Sequence, residues 1–194
     1  MTQTTVKLTL EEYLTSGDGS DNHVELIEGE LIVMAQPKGK HGAITEFLND
    51  KFRVEIQQQG LAWVSKQVLI AIESPRGSRW DTARIPDVTV VTLEQWQGML
   101  ERTAIIRLSE PPPLLVLEVV SESTQTTDYR SKRVEYNLLG ISEYWIVDPI
   151  KKQFIVLHLI DDLYEEIIFR GDELIQSNIF PELQLSVQEV LSAV

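Results

Sequence analysis

Leu114-Leu115-Val116-Leu117-Glu118-Val119-Val120 is an apolar run with one carboxylate inside it. Seven residues this rich in leucine and valine predict a strand buried on both faces. A lone ionised carboxylate in such a strand carries a heavy desolvation penalty unless an ammonium, a guanidinium or a metal ion faces it. Glu118 therefore requires a positive partner. Arg84 and Lys132 are the candidates for a purely structural ion pair, and a bound metal is the functional alternative.

Asp87 belongs with Glu118. It follows Pro86 and opens Val88-Thr89-Val90-Val91, a second strand-like run. Asp87 and Glu118 are expected on adjacent strands of one sheet. Basic residues flank both: Arg76, Arg79 and Arg84 before Asp87, and Arg130, Lys132 and Arg133 after Glu118.

Composition sets bounds. The chain has 194 residues, 43% of them hydrophobic, which suits one domain spanning 1–194 with a sizeable core. No stretch approaches the ~18 apolar residues of a membrane helix. No basic-then-apolar signal opens the chain. Cysteine is absent, so disulfides and thiolate metal sites are excluded; a cytoplasmic location is the expectation. The net charge of −13 argues against a general nucleic-acid binder, because phosphate recognition is cationic. The charge is uneven, however. Residues 153–194 carry −7 with Arg170 as their one base, while 16 of the 17 Lys and Arg lie before them.

The surrounding elements follow from periodicity and punctuation. A short helix is predicted over Leu8 to Leu14, a Gly- and Asp-rich loop over 18–23, and a hairpin over Val24 to Ala35 turning at Glu28-Gly29. Ile44, Phe47, Leu48, Phe52 and Ile56 recur at helical spacing, predicting a helix from His41 to Gln58. Then come a strand over Ala62 to Ile72, an Arg-rich loop over Ser74 to Ile85, and a short helix over Leu93 to Arg102. A helix over Asp128 to Leu139 ends at Gly140. Strands are predicted at Glu143 to Val147, Phe154 to Leu159 and Tyr164 to Phe169, the last two as a hairpin around Asp161-Asp162. A helix over Ser186 to Leu191 closes the chain. The class is α/β (α+β), a mixed central sheet flanked by helices, with extra N- and C-terminal strands.

Two acids at strand ends beside a lysine suit metal-assisted phosphodiester hydrolysis. Mg²⁺ takes oxygen ligands, keeps several waters and needs only one or two protein carboxylates. A lysine there stabilises charge on the phosphoryl oxygens or positions the attacking water. Pro86-Asp87 followed by Glu118 in an apolar strand resembles the PD-(D/E)xK nuclease superfamily. A longer ordered set resembles its Uma-two family, a bacterial group of restriction-endonuclease-like domains: Glu25-Leu26-Ile27-Glu28-Gly29-Glu30-Leu31, His41-Gly42, Pro86-Asp87-Val88, Leu117-Glu118-Val119-Val120-Ser121, Ser123-Thr124, Asp128, Lys132, Tyr136, Gly140 and Glu143-Tyr144-Trp145-Ile146-Val147-Asp148-Pro149.

The resemblance implies a restriction-endonuclease-like core and an endonuclease that cleaves DNA with Mg²⁺ (or Mn²⁺). It also implies catalytic residues Asp87, Glu118, Lys132 and Glu25, with Asp87, Glu118 and Glu25 as metal ligands. One departure stands out: the superfamily places its lysine two residues after the glutamate, where this chain has Val120. Lys132 in the following helix takes its place. Lys132, Tyr136 and Leu139 share one helix face, so the long lysine stem can reach back toward Glu118. On this reading Lys132→Ala leaves the fold nearly intact.

Other readings remain. Glu25 is either a third ligand or a surface residue. His41 at a helix start reads as capping or packing, and His23 and His158 have no ligand spacing. Asp148 ends a strand. A catalytically inactive nuclease-fold protein acting as a binding or regulatory module is the alternative in another class. Paired-carboxylate glycoside hydrolysis is weakened by the basic clusters. A homodimer is a further expectation, since two-fold pairs suit double-strand cleavage.

Overall fold

In the computed structural model, residues 7–15, 24–75 and 79–193 are described. In chain order the elements are α1 (Leu10–Thr15), β1 (Val24–Ile27), β2 (Glu30–Val33), α2 (Gly39–Gln58), β3 (Trp63–Gln67), β4 (Ala71–Glu73), β5 (Ala83–Arg84), β6 (Val88–Thr92), α3 (Leu93–Gln97), β7 (Ile105–Ile106), β8 (Leu115–Val119), α4 (Lys132–Leu138), β9 (Glu143–Asp148), β10 (Gln153–Ile160), β11 (Leu163–Arg170) and α5 (Val187–Leu191). A π-helical turn at Thr127–Ser131 leads directly into α4.

The quoted run becomes β8, buried at all five positions. It lies inside a six-stranded mixed sheet of order β11-β10-β9-β8-β6-β3. It runs parallel to β9 and antiparallel to β6. A strand in this position has both faces covered, which explains why its sequence does not alternate with polar residues. The two faces pack on different layers. Leu115, Leu117 and Val119 join Ile44, Leu48 and Phe52 of α2 and the C-terminal residues Phe180, Leu185 and Val190. Val116 and Val120 turn the other way, toward Tyr136, Ile141 and Tyr144. By the two-residue period Glu118 belongs to this second face.

The N-terminal hairpin does not extend the main sheet. It forms a second, five-stranded sheet of order β2-β1-β5-β4-β7. Its turn has positive φ at both Glu28 (49°) and Gly29 (79°), the two-residue geometry that matches strand twist. The predicted strand over Ala62 to Ile72 is split. β3 pairs with β6 in one sheet, and β4 pairs with β5 and β7 in the other. The break comes at Val68, whose φ is +43°, a rare conformation for a β-branched residue. Its N–H donates to the carbonyl of Asp87 at 3.1 Å, so the strained residue sits against the backbone of the candidate site.

Other boundaries shift as well. The Arg-rich loop contains the two-residue β5, α3 stops at Gln97 rather than Arg102, and β7 is an unforeseen strand. Among the described residues no helix is long and apolar enough to cross a membrane.

Candidate functional site

The β6–β8 register pairs Val88 with Leu117, so one step further sets Asp87 opposite Glu118. The expected adjacency of the two strands is met. Asp87 is tied to the end of β8, because its Oδ2 accepts the Val119 N–H at 2.7 Å. Its Oδ1 lies 3.0 Å from His41 Nε2, in the first turn of α2. His41, read from sequence as a helix-start capping or packing residue, thus stands against Asp87 in the candidate site. The sequence clue was its position just ahead of the apolar helical repeat, but a lone histidine carries no ligand spacing to mark it.

Glu118 is held by α4. Lys132 Nζ is 2.8 Å from Glu118 Oε2, and the Tyr136 hydroxyl donates to Oε1 at 2.9 Å. Lys132 and Tyr136 are one helical turn apart, the spacing that lets both reach one carboxylate. The lysine stem does reach back to β8, and the ion partner of Glu118 is Lys132 rather than Arg84. The same ammonium lies 3.1 Å from Asp128 Oδ1, in the π-helical turn before α4. Lys132 is 2% exposed, Glu118 4% and Asp128 1%, so this is a buried charge cluster and not a solvated face.

Burial pushes the Glu118 carboxyl well above its ordinary value of 4.5; Lys132 opposes this, and the charges of Asp87 and Asp128 add to it. Burial likewise raises Asp128, against Lys132 and the Thr124 hydroxyl. Burial alone pulls the Lys132 ammonium down, but Glu118 and Asp128 outweigh it and move it up. His41 behaves similarly: burial lowers it, and the bond and charge of Asp87 with the charge of Asp128 raise it above 6.5. Burial is the largest influence on each of these groups, and the carboxylates outnumber the cations around them. Three carboxylates (Asp87, Glu118 and Asp128) face one ammonium and one imidazole.

This fixes a pH dependence. Glu118 and Asp128 have folded-state values raised above their unfolded ones. Their contribution is therefore fully present below the unfolded values, near 4.5 and 3.8, and is lost as pH rises through the raised ones. Without divalent cations, the urea midpoint is expected to fall more with rising pH in wild type than in Glu118→Gln. Parallel pH profiles for the two proteins would remove Glu118 from the charge-deficient cluster.

The remaining expected residues are placed as follows. Glu25, on β1, is 2% exposed. Its Oε2 accepts from Arg84 Nη1 at 3.1 Å, and its Oε1 from the Ile85 N–H at 3.1 Å. Arg84 is not a surface cation. It is 1% exposed and also grips Glu135 of α4 through two bonds of 2.8 and 2.9 Å. Arg76 and His23 lie outside the described residues. Arg79 and Arg130 are exposed, as are Lys38 and Lys40 at the start of α2. Asp148 ends β9, accepting the N–H groups of Ile150 and Lys151 in the following turn.

Whether the residues suit a divalent metal is a question of donor set. Hard cations take carboxylate oxygens, and Asp87 and Glu118 bring two carboxylates into a region short of positive charge. That fits a metal held by two carboxylates and waters. Among the described residues no group of three or more His, Cys, Asp or Glu is arranged to hold a metal ion, and both Glu25 oxygens accept from Arg84 and the Ile85 N–H.

Comparisons with known proteins bear on the fold and the family. The chain is similar in structure to "a putative nuclease belonging to DUF820" from Anabaena variabilis ATCC 29413. Identity is 22%, the TM-score 0.76, and the match covers 95% of this chain and 98% of that one. That likeness shows the restriction-endonuclease-like α/β fold. No curated protein matches the chain. The family described as "Uma2: Putative restriction endonuclease" matches residues 10–188, nearly the whole length. A match over residues 10–188 takes in the two-acid strand pair, the helix-borne lysine and the motifs around them: the chain belongs to the Uma2 family of restriction-endonuclease-like proteins.

Proposed function

We propose that this protein is a divalent-metal-dependent endodeoxyribonuclease whose Mg²⁺ or Mn²⁺ is held by Asp87 and Glu118. The observation that carries this reading is the strand-end carboxylate pair in a cluster left short of positive charge, with Lys132 2.8 Å from Glu118. When bound, such a metal polarises a phosphoryl oxygen and lowers the pKa of its bound water. The chain's own residues do the rest. Tyr136 and Lys132 fix the two oxygens of Glu118. His41 and the Val119 N–H fix those of Asp87. Lys132 stays protonated and supplies a fixed positive charge where a phosphoryl group gains negative charge.

Lys38, Lys40, Arg79 and Arg130 are among the exposed cations that DNA phosphates could meet, Lys38 by exchanging its exposed partner Glu122; Arg84, bound to two buried carboxylates, is not. With a net charge of −13, DNA affinity should be modest and fall steeply with salt. Lys38→Ala with Lys40→Ala should weaken it without altering the melting temperature.

A second reading, a non-catalytic module on the nuclease fold, is favoured by one observation. Each carboxylate oxygen of Asp87 and Glu118 already has a protein partner. Conversion of supercoiled plasmid to nicked or linear DNA decides between them. Cleavage that needs Mg²⁺ or Mn²⁺ and falls at least ~10²-fold in Asp87→Asn is expected, the scale of losing one charge-stabilising group. DNA binding without cleavage under any divalent ion selects the second reading.

A further inference from the structure

We infer that the buried Glu25–Arg84–Glu135 cluster is a positioning device for the site, holding α4 where Lys132 and Tyr136 meet Glu118. Arg84 stands three residues before Asp87, on the segment that leads into β6. Glu135 lies between the two side chains that hold Glu118, three residues after Lys132 and one before Tyr136. One guanidinium therefore ties the chain segment bearing Asp87 to the helix bearing Lys132 and Tyr136.

The geometry of that tie is directional. Arg84 Nε and Nη2 donate to Glu135 Oε2 and Oε1 at 2.8 and 2.9 Å, a fork-to-carboxylate pair that sets orientation as well as distance. Nη1 donates to Glu25 at 3.1 Å, and the other Glu25 oxygen takes the Ile85 N–H. Glu25 thus locks both the guanidinium and the backbone two residues before Asp87. The charges of Glu25 reach the site too, raising both Lys132 and Tyr136, though burial is the first influence on each. Buried ionic clusters seldom add net stability over an apolar replacement of similar volume. What the fork supplies beyond charge is a fixed angle between α4 and the strand, which neither lysine nor an apolar side chain supplies.

The consequence for metal binding rests on the reading of Asp87 and Glu118 as the metal pair; the positional claim does not. A ligand carboxylate that loses its orienting partners binds metal about 10–100-fold more weakly. Two variants test this. In the first, Glu25→Gln, Arg84→Met and Glu135→Gln together remove every charge of the cluster at nearly constant volume. In the second, Arg84→Lys keeps the charge and loses the fork.

Crystal structures are compared for the Tyr136–Glu118 and Lys132–Glu118 contacts. Mn²⁺ affinity is measured calorimetrically, well below each melting temperature. The expected result is a folded protein in which at least one of the two contacts opens beyond hydrogen-bonding distance, with Mn²⁺ affinity down about 10–100-fold. Lysine should not restore it. Wild-type contacts with wild-type affinity in either variant would overturn the inference and leave the cluster a packing feature. If the triple variant does not fold, Arg84→Lys decides alone. If wild type itself takes up no Mn²⁺, the metal reading fails, and the two contact distances still judge the positional claim.

Discussion

Lys132→Met is expected to lower the free energy of unfolding by about 3–5 kcal/mol, the cost of leaving buried charge without its partner. The residue is 2% exposed, and its ammonium is the shared counter-ion of Glu118 at 2.8 Å and Asp128 at 3.1 Å. Without it the two carboxylates escape the penalty only by taking up protons. Their folded-state values are already raised, so the loss grows as pH rises and shrinks toward pH 4. Urea denaturation of Lys132→Met at several pH values measures this. Combining it with Glu118→Gln should recover much of the loss, giving a strongly coupled double-mutant cycle. The enclosed ammonium argues against the sequence-based expectation that Lys132 can be truncated with the fold nearly intact, and the same denaturation series tests it. That expectation treated the lysine as a long stem reaching in from a helix surface, whereas the whole side chain is enclosed.

Arg84→Met alone should cost about as much, again roughly 3–5 kcal/mol, because Glu25 and Glu135 both stay buried while losing their guanidinium counter-charge. The guanidinium makes three bonds to those two carboxylates. Arg84→Lys should recover part of the stability, since a point charge neutralises but cannot fork. A loss below about 1 kcal/mol for Arg84→Met, the range of an exposed pair, would contradict the buried geometry. The contrast with the triple neutral variant is informative: deleting one member of the cluster should harm stability far more than deleting all its charges.

Much of the site was legible in one dimension because each clue was local. An acid in an otherwise apolar strand demands a cation, and Lys132 with Tyr136 at one-turn spacing offered one. Asp128, four residues before Lys132, carried the same helical signal and was quoted only as part of the family pattern. What could not be read depends on long-range packing. Arg84 looked like one of a basic group near Asp87, since a two-residue strand such as β5 has no periodicity to declare it buried. Glu25 could be weighed as a ligand only because its partner, 59 residues away, was unknown. The apolar run through Val68 to Ile72 reads as continuous, and valine is the wrong residue to announce a positive φ. So the crossing from one sheet to the other was invisible. His41 joins the candidate site only because α2 sets its ring against Asp87.

The most direct measurement is Mn²⁺ titration of the purified protein by isothermal calorimetry, beside the Asp87→Asn, Glu118→Gln double variant. The metal-site reading predicts saturable binding by wild type, a matching rise in melting temperature through linkage to the native state, and loss of both in the double variant. Binding of equal strength in the double variant would place the ion elsewhere on the acidic surface. Absence of binding to wild type would contradict the metal site itself.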